Sequence, residues 1–379
     1  MKKVADTVPA GPKVLEFFAG IGLARLGLEA AGFDVAWSND FEPAKKAMYE
    51  GHFGTSEGHV FELGDVGAVS AVTLPQDAKV AWASSPCTDL SLAGSRAGLR
   101  GKASGTFWKF IDVLGDLGER GALPPIAVLE NVTGLATSHG GDDLTAAIQA
   151  FNELGYSVDV LAIDARRFVP QSRPRLFLIA CIEPPAPSVA VSDARPSWLQ
   201  WVFSDPTLKT HQADLPSLPL PLMDGLGGLV EDVPEGDGRW WDSSRVLAFR
   251  DSLSPVQRDR VSVFGEQGHV VYRSAYRRTR QGVARWEIRP DDISGCLRTA
   301  RGGSSKQAVV RFEGPSMQVR WMTPLEYARL MGAADFSLDG VRNNQALFGF
   351  GDAVAVPAVT WLANNYLKPI LATSVDWAD

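Results

Sequence analysis

The chain has 379 residues and a formal net charge of −7, room for more than one folding unit. Hydrophobic residues at 45% and charged residues at 21% exclude a mostly disordered or collagen-like chain. The acidic total speaks at first against nucleic acid, whose phosphates call for Lys and Arg.

Cys87, Cys181 and Cys296 are too few and too far apart for a disulfide framework or the ligand spacing of a zinc site, so no metal is expected. Met1 to Gly11 carries two lysines with no apolar run behind them, so no secretory signal is expected. The longest apolar candidates, such as Leu176 to Ile182, have the length of core strands. A cytoplasmic, monomeric protein without membrane contact is the expectation.

From Val14 to Cys181 short apolar runs alternate with helix-period stretches, the pattern of an α/β fold with a doubly wound, mostly parallel sheet. The expected strands are Val14–Phe18, Asp34–Ser38, Val80–Ser84, Ile126–Leu129, Val158–Ile163 and Leu176–Cys181. Ile21, Ala24, Leu28 and Ala31 mark one face of a helix closed by Gly32. After Ile182, prolines from Pro184 to Pro221 exclude long helices and central strands and predict a smaller, loop-rich domain. Thr323–Met331 reads as a helix with Thr323 and Glu326 as a capping box, and Ala353–Leu367 as another.

Glu16-Phe17-Phe18-Ala19-Gly20-Ile21-Gly22 lies where the first strand turns into a helix, and its glycines let the backbone approach a ligand. Arg25 stands where the dinucleotide fingerprint requires glycine, which disfavours a nicotinamide or flavin. Asp40 ends the second strand, placed to accept from ribose hydroxyls, with Phe41 beside it to lie against an adenine. Asp65 ends a third segment, where its carboxylate can meet an adenine amino group. Taken alone, each of these also reads as an ordinary turn or a solvated strand end.

Ser84 to Ser91 follows an apolar strand, which brings Cys87 out at the carboxyl edge of the sheet as a candidate nucleophile. Glu130-Asn131-Val132 ends another strand at the same edge, and Gln171-Ser172-Arg173-Pro174-Arg175 brings two guanidinium groups to it. Three strand ends supplying a thiol, a carboxyl and an arginine pair to one rim form a constellation that chance explains poorly.

In order and spacing these motifs resemble the DNA cytosine-5 methyltransferase family. The resemblance covers nearly the whole chain: it continues through Arg320-Trp321-Met322-Thr323-Pro324-Leu325-Glu326, Arg329-Leu330-Met331-Gly332 and Gly351-Asp352-Ala353-Val354. It implies S-adenosyl-L-methionine as methyl donor, S-adenosyl-L-homocysteine as product, double-stranded DNA as substrate, and a role in restriction-modification or phage defence. It further implies a catalytic domain over residues 1–183, a target-recognition domain over 184–318, and a return to the catalytic domain over 319–379.

Donor contacts carried over on this basis are Phe18, Ala19, Gly20, Gly22, Asp40, Phe41, Asp65, Val66, Pro86, Asp352, Ala353 and Val354. Carbon 5 of cytosine is a poor nucleophile until a group adds at carbon 6. Cys87 is expected to add there, Glu130 to serve ring nitrogen 3 and the exocyclic amine, Arg175 to hold the ring carbonyl, and Arg173 to orient loop and base. The target base must leave the helix for this.

Some residues depart from the family pattern. Asparagine usually stands where Asp352 does, and an acid near the donor's methionine end either repels its carboxylate or selects for its ammonium. In the nucleophile loop Ser85 precedes Pro86, Thr88 replaces a glutamine, and Leu90 replaces a phenylalanine ahead of Ser91. The arginine usual before Gly105 is missing, which shifts one DNA contact to Arg96 or Arg100. An RNA cytosine methyltransferase of this fold and a non-catalytic DNA-binding paralogue are the weighed alternatives.

The charge is unevenly spread. Between Arg239 and Arg311 stand 15 Lys and Arg against 7 Asp and Glu, a net of +8, which leaves −15 for the rest. Arg277, Arg278 and Arg280, interleaved with Tyr272, Tyr276 and Trp286, are the expected DNA face. Gln171 and Ser91 join the expected DNA contacts. Arg298, Arg301, Gly302 and Gly303 form a loop that reads either as a groove reader or as a solvated turn.

Overall fold

A computed structural model describes residues 11–85, 105–186, 188, 192–280, 282–298 and 306–373, with Arg280 described in its backbone only. A seven-stranded sheet has the order β3-β2-β1-β4-β5-β7-β6. Its strands are β1 Lys13–Phe17, β2 Asp34–Asp40, β3 Val60–Leu63, β4 Val80–Ser84, β5 Ile126–Val132, β6 Ser157–Asp164 and β7 Pro174–Cys181. The first four pair with their neighbours and with β5 in parallel. β7 runs antiparallel to both β5 and β6.

That reversal positions chemistry. A strand whose first residues are to lie at the carboxyl edge of its neighbours must run against them, and β7 begins where β5 ends, with Val132 opposite Arg175. Along β1, β4 and β5 the side chains alternate between two cores: Val14, Val80, Trp82, Ile126 and Val128 face one, and Leu15, Ala81, Ala83, Ala127 and Leu129 the other. Strands apolar on both faces are the mark of a sheet covered on both sides.

The helices that cover it are α1 Leu23–Ala30, α2 Pro43–Phe53, α3 Thr106–Glu119 and α4 Asp142–Glu153, followed by the short α5 Gln200–Ser204. A four-stranded antiparallel sheet, in the order β11-β10-β8-β9, follows. It comprises β8 Val271–Arg280, β9 Val283–Ile288, β10 Ala308–Glu313 and β11 Ser316–Trp321. With α6 Ser243–Ser252 and α7 Pro255–Gly265 it has its own core of Phe249, Phe264, Trp286 and Phe312.

The chain then returns through α8 Pro324–Leu330, α9 Asn343–Asp352, α10 Val356–Leu362, a π-helical turn Ala363–Leu367 and α11 Lys368–Thr373. The capping box expected at Thr323 and Glu326 forms in both directions. The helix expected over Ala353–Leu367 starts instead at Val356, because Ala353 follows α9 in extended backbone and the extended Ala355 caps α10, whose first turn holds Pro357. The stretch Asn343–Thr373 is longer than any apolar run singled out in the sequence, with an 18-residue window of mean hydropathy 1.5, and 67% of that window is buried. Val359, Leu362 and Phe350 lie in the core shared with α1 and β1.

Candidate active site

The turn after β1 is built to bring backbone close to a ligand. Phe18 takes φ 56, a left-handed conformation that costs a side chain about 1 kcal/mol or more. Gly20 (φ 59) and Gly22 (φ 85) share that region. A Cβ at Gly22 would stand 2.4 Å from the Phe53 ring and 2.7 Å from Tyr49, so only glycine lets α1 start there.

Asp40 is buried and ties this turn to the next, accepting from Gly20 N at 2.9 Å and from Glu42 N at 2.9 Å. A carboxylate has about four acceptor positions, so Asp40 keeps capacity for hydroxyl donors. Phe41 beside it is exposed, its ring free to lie against a flat ligand. Asp65 caps the turn that starts at Val66, accepting from Gly67 N at 2.7 Å, and pairs with Lys109 at 2.9 Å. The Lys109 hydrogen bond, followed by that of Gly67, holds its carboxyl below the usual range. A ligand amino group at Asp65 would compete with Lys109.

At the neighbouring strand ends, Ser84 pairs with Glu130 across β4 and β5. Asn131 donates its amide to Ser85 O at 3.0 Å and so fixes the root of the loop that leaves β4. Glu130 is buried, and Arg175 Nε stands 3.0 Å from its Oε1. Cys87, Pro86, Ser91 and Arg96 fall in residues 86–104, and Arg301, Gly302 and Gly303 in 299–305, all outside the described residues.

Arg173 does not reach the rim. It is 1% exposed and donates to Leu297 O at 2.7 Å and to Gly351 O at 3.1 Å, with Ala353 O as a further acceptor. Burial, then the charge of Arg175, pulls its guanidinium down to about 10. Arg173 precedes β7, so the pleat that turns Arg175 to Glu130 does not govern it, and the carbonyls of Leu297, Gly351 and Ala353 draw its guanidinium into the interior. Gln171 is fully buried too, donating to Leu330 O at 2.8 Å and accepting from Leu297 N at 3.1 Å. A direct DNA contact by Gln171 would break both bonds. Together these residues brace the segment ending at the exposed Arg298 against the end of α9 at Gly351 and against Ala353.

The basic strand is split by its pleat. Tyr276 and Arg278 lie on one face of β8, with the Arg278 guanidinium 5.1 Å from the Tyr276 ring and Nε 3.8 Å from Glu287. Arg277 has the opposite parity and stands across from Trp286. Trp286 is not a DNA-facing ring: it packs 5.5 Å from Trp241 and 5.2 Å from Phe249 in the small core. Arg273 is half-buried over Phe264 and 3.6 Å from Asp292.

One charged residue of the site went unmarked in the sequence. Lys45, in the first turn of α2, stands 3.1 Å from Asp352 and 3.6 Å from Glu42. Burial pulls its ammonium down, but Asp40, Asp352 and Glu42 outweigh that and hold it above the ordinary lysine value. The signal in the sequence was the pairing of an unusual acid at Asp352 with a lysine just beyond Asp40. Among the described residues no group of His, Cys, Asp and Glu is arranged to hold a metal.

A profile of the C-5 cytosine-specific DNA methylase family matches residues 12–368. The type II methyltransferase M.MspI of Moraxella is 32% identical over 177 residues, which are 46% of this chain and 40% of that protein. M.HhaI of Haemophilus parahaemolyticus is 28% identical over 47% of this chain and 52% of its own length. The matched segments thus span about half or less of those two relatives. M.DsaV of Dactylococcopsis salina is 26% identical over 94% of this chain and 86% of its own. Among solved structures, the Dnmt2 methyltransferase of S. pombe superposes with TM-score 0.61 at 17% identity, covering 95% of this chain and 99% of that one. The Entamoeba histolytica methyltransferase EhMeth gives 0.57 at 12%, covering 95% and 99%. These two likenesses bear on the fold.

Proposed function

Because this chain belongs to the C-5 cytosine-specific DNA methylase family, we propose that it methylates carbon 5 of a flipped-out cytosine within a specific sequence of duplex DNA. Family membership implies S-adenosylmethionine as donor, and bound there it supplies the methyl group as a sulfonium electrophile. The residues present fit that donor: a glycine turn of positive φ, a buried Asp40 with spare acceptor positions and an exposed Phe41 ring.

The observation that carries the reading is the Glu130–Arg175 pair, 3.0 Å apart at the strand ends beside the root of the Cys87 loop. Cys87 attacks carbon 6 of the ring as a thiolate, and the 5,6 double bond shifts its electrons toward carbon 5 and nitrogen 3. Glu130 meets the charge at nitrogen 3 with a proton and accepts from the exocyclic amine, while Arg175 holds the ring carbonyl. After carbon 5 is methylated, loss of its proton re-forms the double bond and expels Cys87.

In this reading residues 1–183 and 319–379 form the catalytic part, and 184–318 the target-recognition part that selects a site for restriction-modification or another defence system. Arg278, Arg280 and Arg298 with the loop Arg301 to Gly303 are the proposed DNA contacts.

The test uses purified protein, labelled donor and mixed-sequence duplex DNA. Label at cytosine carbon 5, lost in Cys87→Ala, is the expected result; label on RNA alone, or label that survives Cys87→Ala, overturns the proposal. A duplex with 5-fluorocytosine at the methylated position should trap a covalent complex, since no proton can leave carbon 5. Bisulfite sequencing of DNA from an expressing host reads the recognised sequence.

A further inference from the structure

Lys45 and Asp352 each stand at the wrong end of a helix. Lys45 is in the first turn of α2, where the helix dipole disfavours a cation, and Asp352 is the last residue of α9, where it disfavours an anion. Their 3.1 Å contact relieves both, but it is not what docks α9 against α2. Gln345 already donates to Ala44 O at 2.9 Å across the same helix pair, and Gly349 packs so closely that a Cβ there would stand 2.7 Å from Ile21 and 3.2 Å from Met48. A neutral pair of side chains would leave that docking intact.

The pair occupies a particular place. Lys45 stands 3.6 Å from Glu42, whose N–H donates to Asp40, and 3.1 Å from Asp352, while Arg173, beside the catalytic edge, donates at 3.1 Å to the carbonyl of Gly351, the residue before Asp352. Asp352 therefore lies between the nucleoside end of the donor site and the base site, where the amino-acid end of the donor must run. Lys45 is mostly buried and Asp352 about one-third exposed, so the carboxylate is accessible to a ligand. The amino-acid end is a zwitterion, one carboxylate and one ammonium, and a lysine beside an aspartate presents the complementary charges.

We propose that Lys45 is a donor-binding residue: its ammonium neutralises Asp352 and holds the donor's α-carboxylate, while Asp352 accepts from the donor's α-ammonium. The inference rests on the methyl-donor reading above. It makes Lys45 the compensation for an acid at a position where the family usually carries an amide. Without Lys45, Asp352 would repel the carboxylate it sits beside.

The experiment measures binding of S-adenosylmethionine, S-adenosylhomocysteine and methylthioadenosine to the full chain by calorimetry. Methylthioadenosine keeps the nucleoside and lacks the amino-acid end. Lys45→Met should weaken the two amino-acid-bearing ligands about tenfold, the size of one charge contact, and leave methylthioadenosine unchanged, which also shows that the variant is folded. Adding Asp352→Asn to it should bring S-adenosylhomocysteine back to within about threefold of wild type. The proposal is overturned if Lys45→Met binds all three ligands like wild type, if methylthioadenosine weakens as much as the others, or if the double variant stays as weak as Lys45→Met. A wild-type protein that binds none of the three overturns the donor reading itself, an outcome distinct from the rest because it needs no variant.

Discussion

Arg175 Nε lies 3.0 Å from Glu130 Oε1, and the contact exists because β7 runs against β5 and starts where β5 ends. The guanidinium fixes one carboxylate oxygen, and in the proposed reaction the carboxyl serves the base. Glu130→Gln keeps the shape and removes the proton carrier, so turnover should fall about 10²–10⁴-fold with donor affinity unchanged. Arg175→Lys loses the planar fork and should lower turnover less, about 10-fold to 100-fold. Single-turnover methylation of a fixed duplex measures both, and a Glu130→Gln enzyme within a factor of about three of wild type would remove Glu130 from the chemistry.

Arg173 should behave as a brace. Its guanidinium is shared by Leu297 O and Gly351 O, and substitution by methionine strands these buried carbonyls. Arg173→Met should lose about 2–4 kcal/mol of stability in urea titrations. Arg173→Lys should recover only part of this, because one ammonium cannot span acceptors on two sides. An unchanged midpoint for both would contradict the bracing role.

How much of this could be read from the sequence depends on where each residue's partner sits in the chain. Glu130 and Arg175 were legible because strand ends of apolar runs project to one edge whatever surrounds them. The buried bonds of Arg173 and Gln171 were not legible, since their acceptors, Leu297 O and Leu330 O, lie over a hundred residues away and no local pattern announces them. The four-stranded sheet left little trace because β8, Val271–Arg280, carries two tyrosines, and four arginines spread over both faces, in place of an apolar and polar alternation. β3 is short and partly exposed at the sheet edge, so its alternation is too weak to stand out. Lys45 needed Asp352, which lies at the far end of the chain.

Glu16 makes stability fall as pH rises toward neutral. It is fully buried, and burial outweighs its hydrogen bond from Ser38 at 2.8 Å and the charge of Arg25 to raise its carboxyl to about 7. Between its ordinary value near 4.5 and about 7 the folded state holds a proton that the unfolded state releases. Stability from this group therefore falls as pH rises across that window, by at most about 3 kcal/mol. Glu16→Gln should remove the decline and be the more stable protein at pH 8, as read from urea midpoints against pH. A variant less stable than wild type at pH 8 would show that the carboxylate is needed.

His211 acts in the opposite direction. Its ring nitrogens bond Ser157 Oγ at 3.1 Å and Tyr366 OH at 3.0 Å, and Tyr366 donates onward to Asp159. The neutral ring with its proton on Nε2 satisfies that chain. Burial, with Arg195 adding to it and Asp159 opposing, lowers its pKa to about 4. As pH falls from 6.5 through about 4 the unfolded state takes up a proton that the folded state refuses, so stability is lost on the acid side. His211→Gln should flatten the acid limb of the midpoint–pH curve while leaving the curve above pH 7 parallel to wild type. An acid limb of unchanged slope would place the titration elsewhere.

The DNA surface makes a prediction in which parity along one strand separates neighbours. Arg278 is exposed on the face of β8 that carries Tyr276, and Arg285 stands opposite it on β9. Arg277 is half-buried on the other face, and Arg273 is engaged with Phe264 and Asp292. Binding to duplex DNA should weaken steeply with salt, and each phosphate contact removed should reduce the slope of log K against log salt by about 1. Arg278→Ala and Arg285→Ala should each show that reduction, whereas Arg277→Ala should leave the slope within about 0.3 of wild type. Arg273→Ala should lower the unfolding midpoint without changing the slope. If Arg277→Ala flattens the slope as much as Arg278→Ala does, the DNA lies along the opposite face of the sheet.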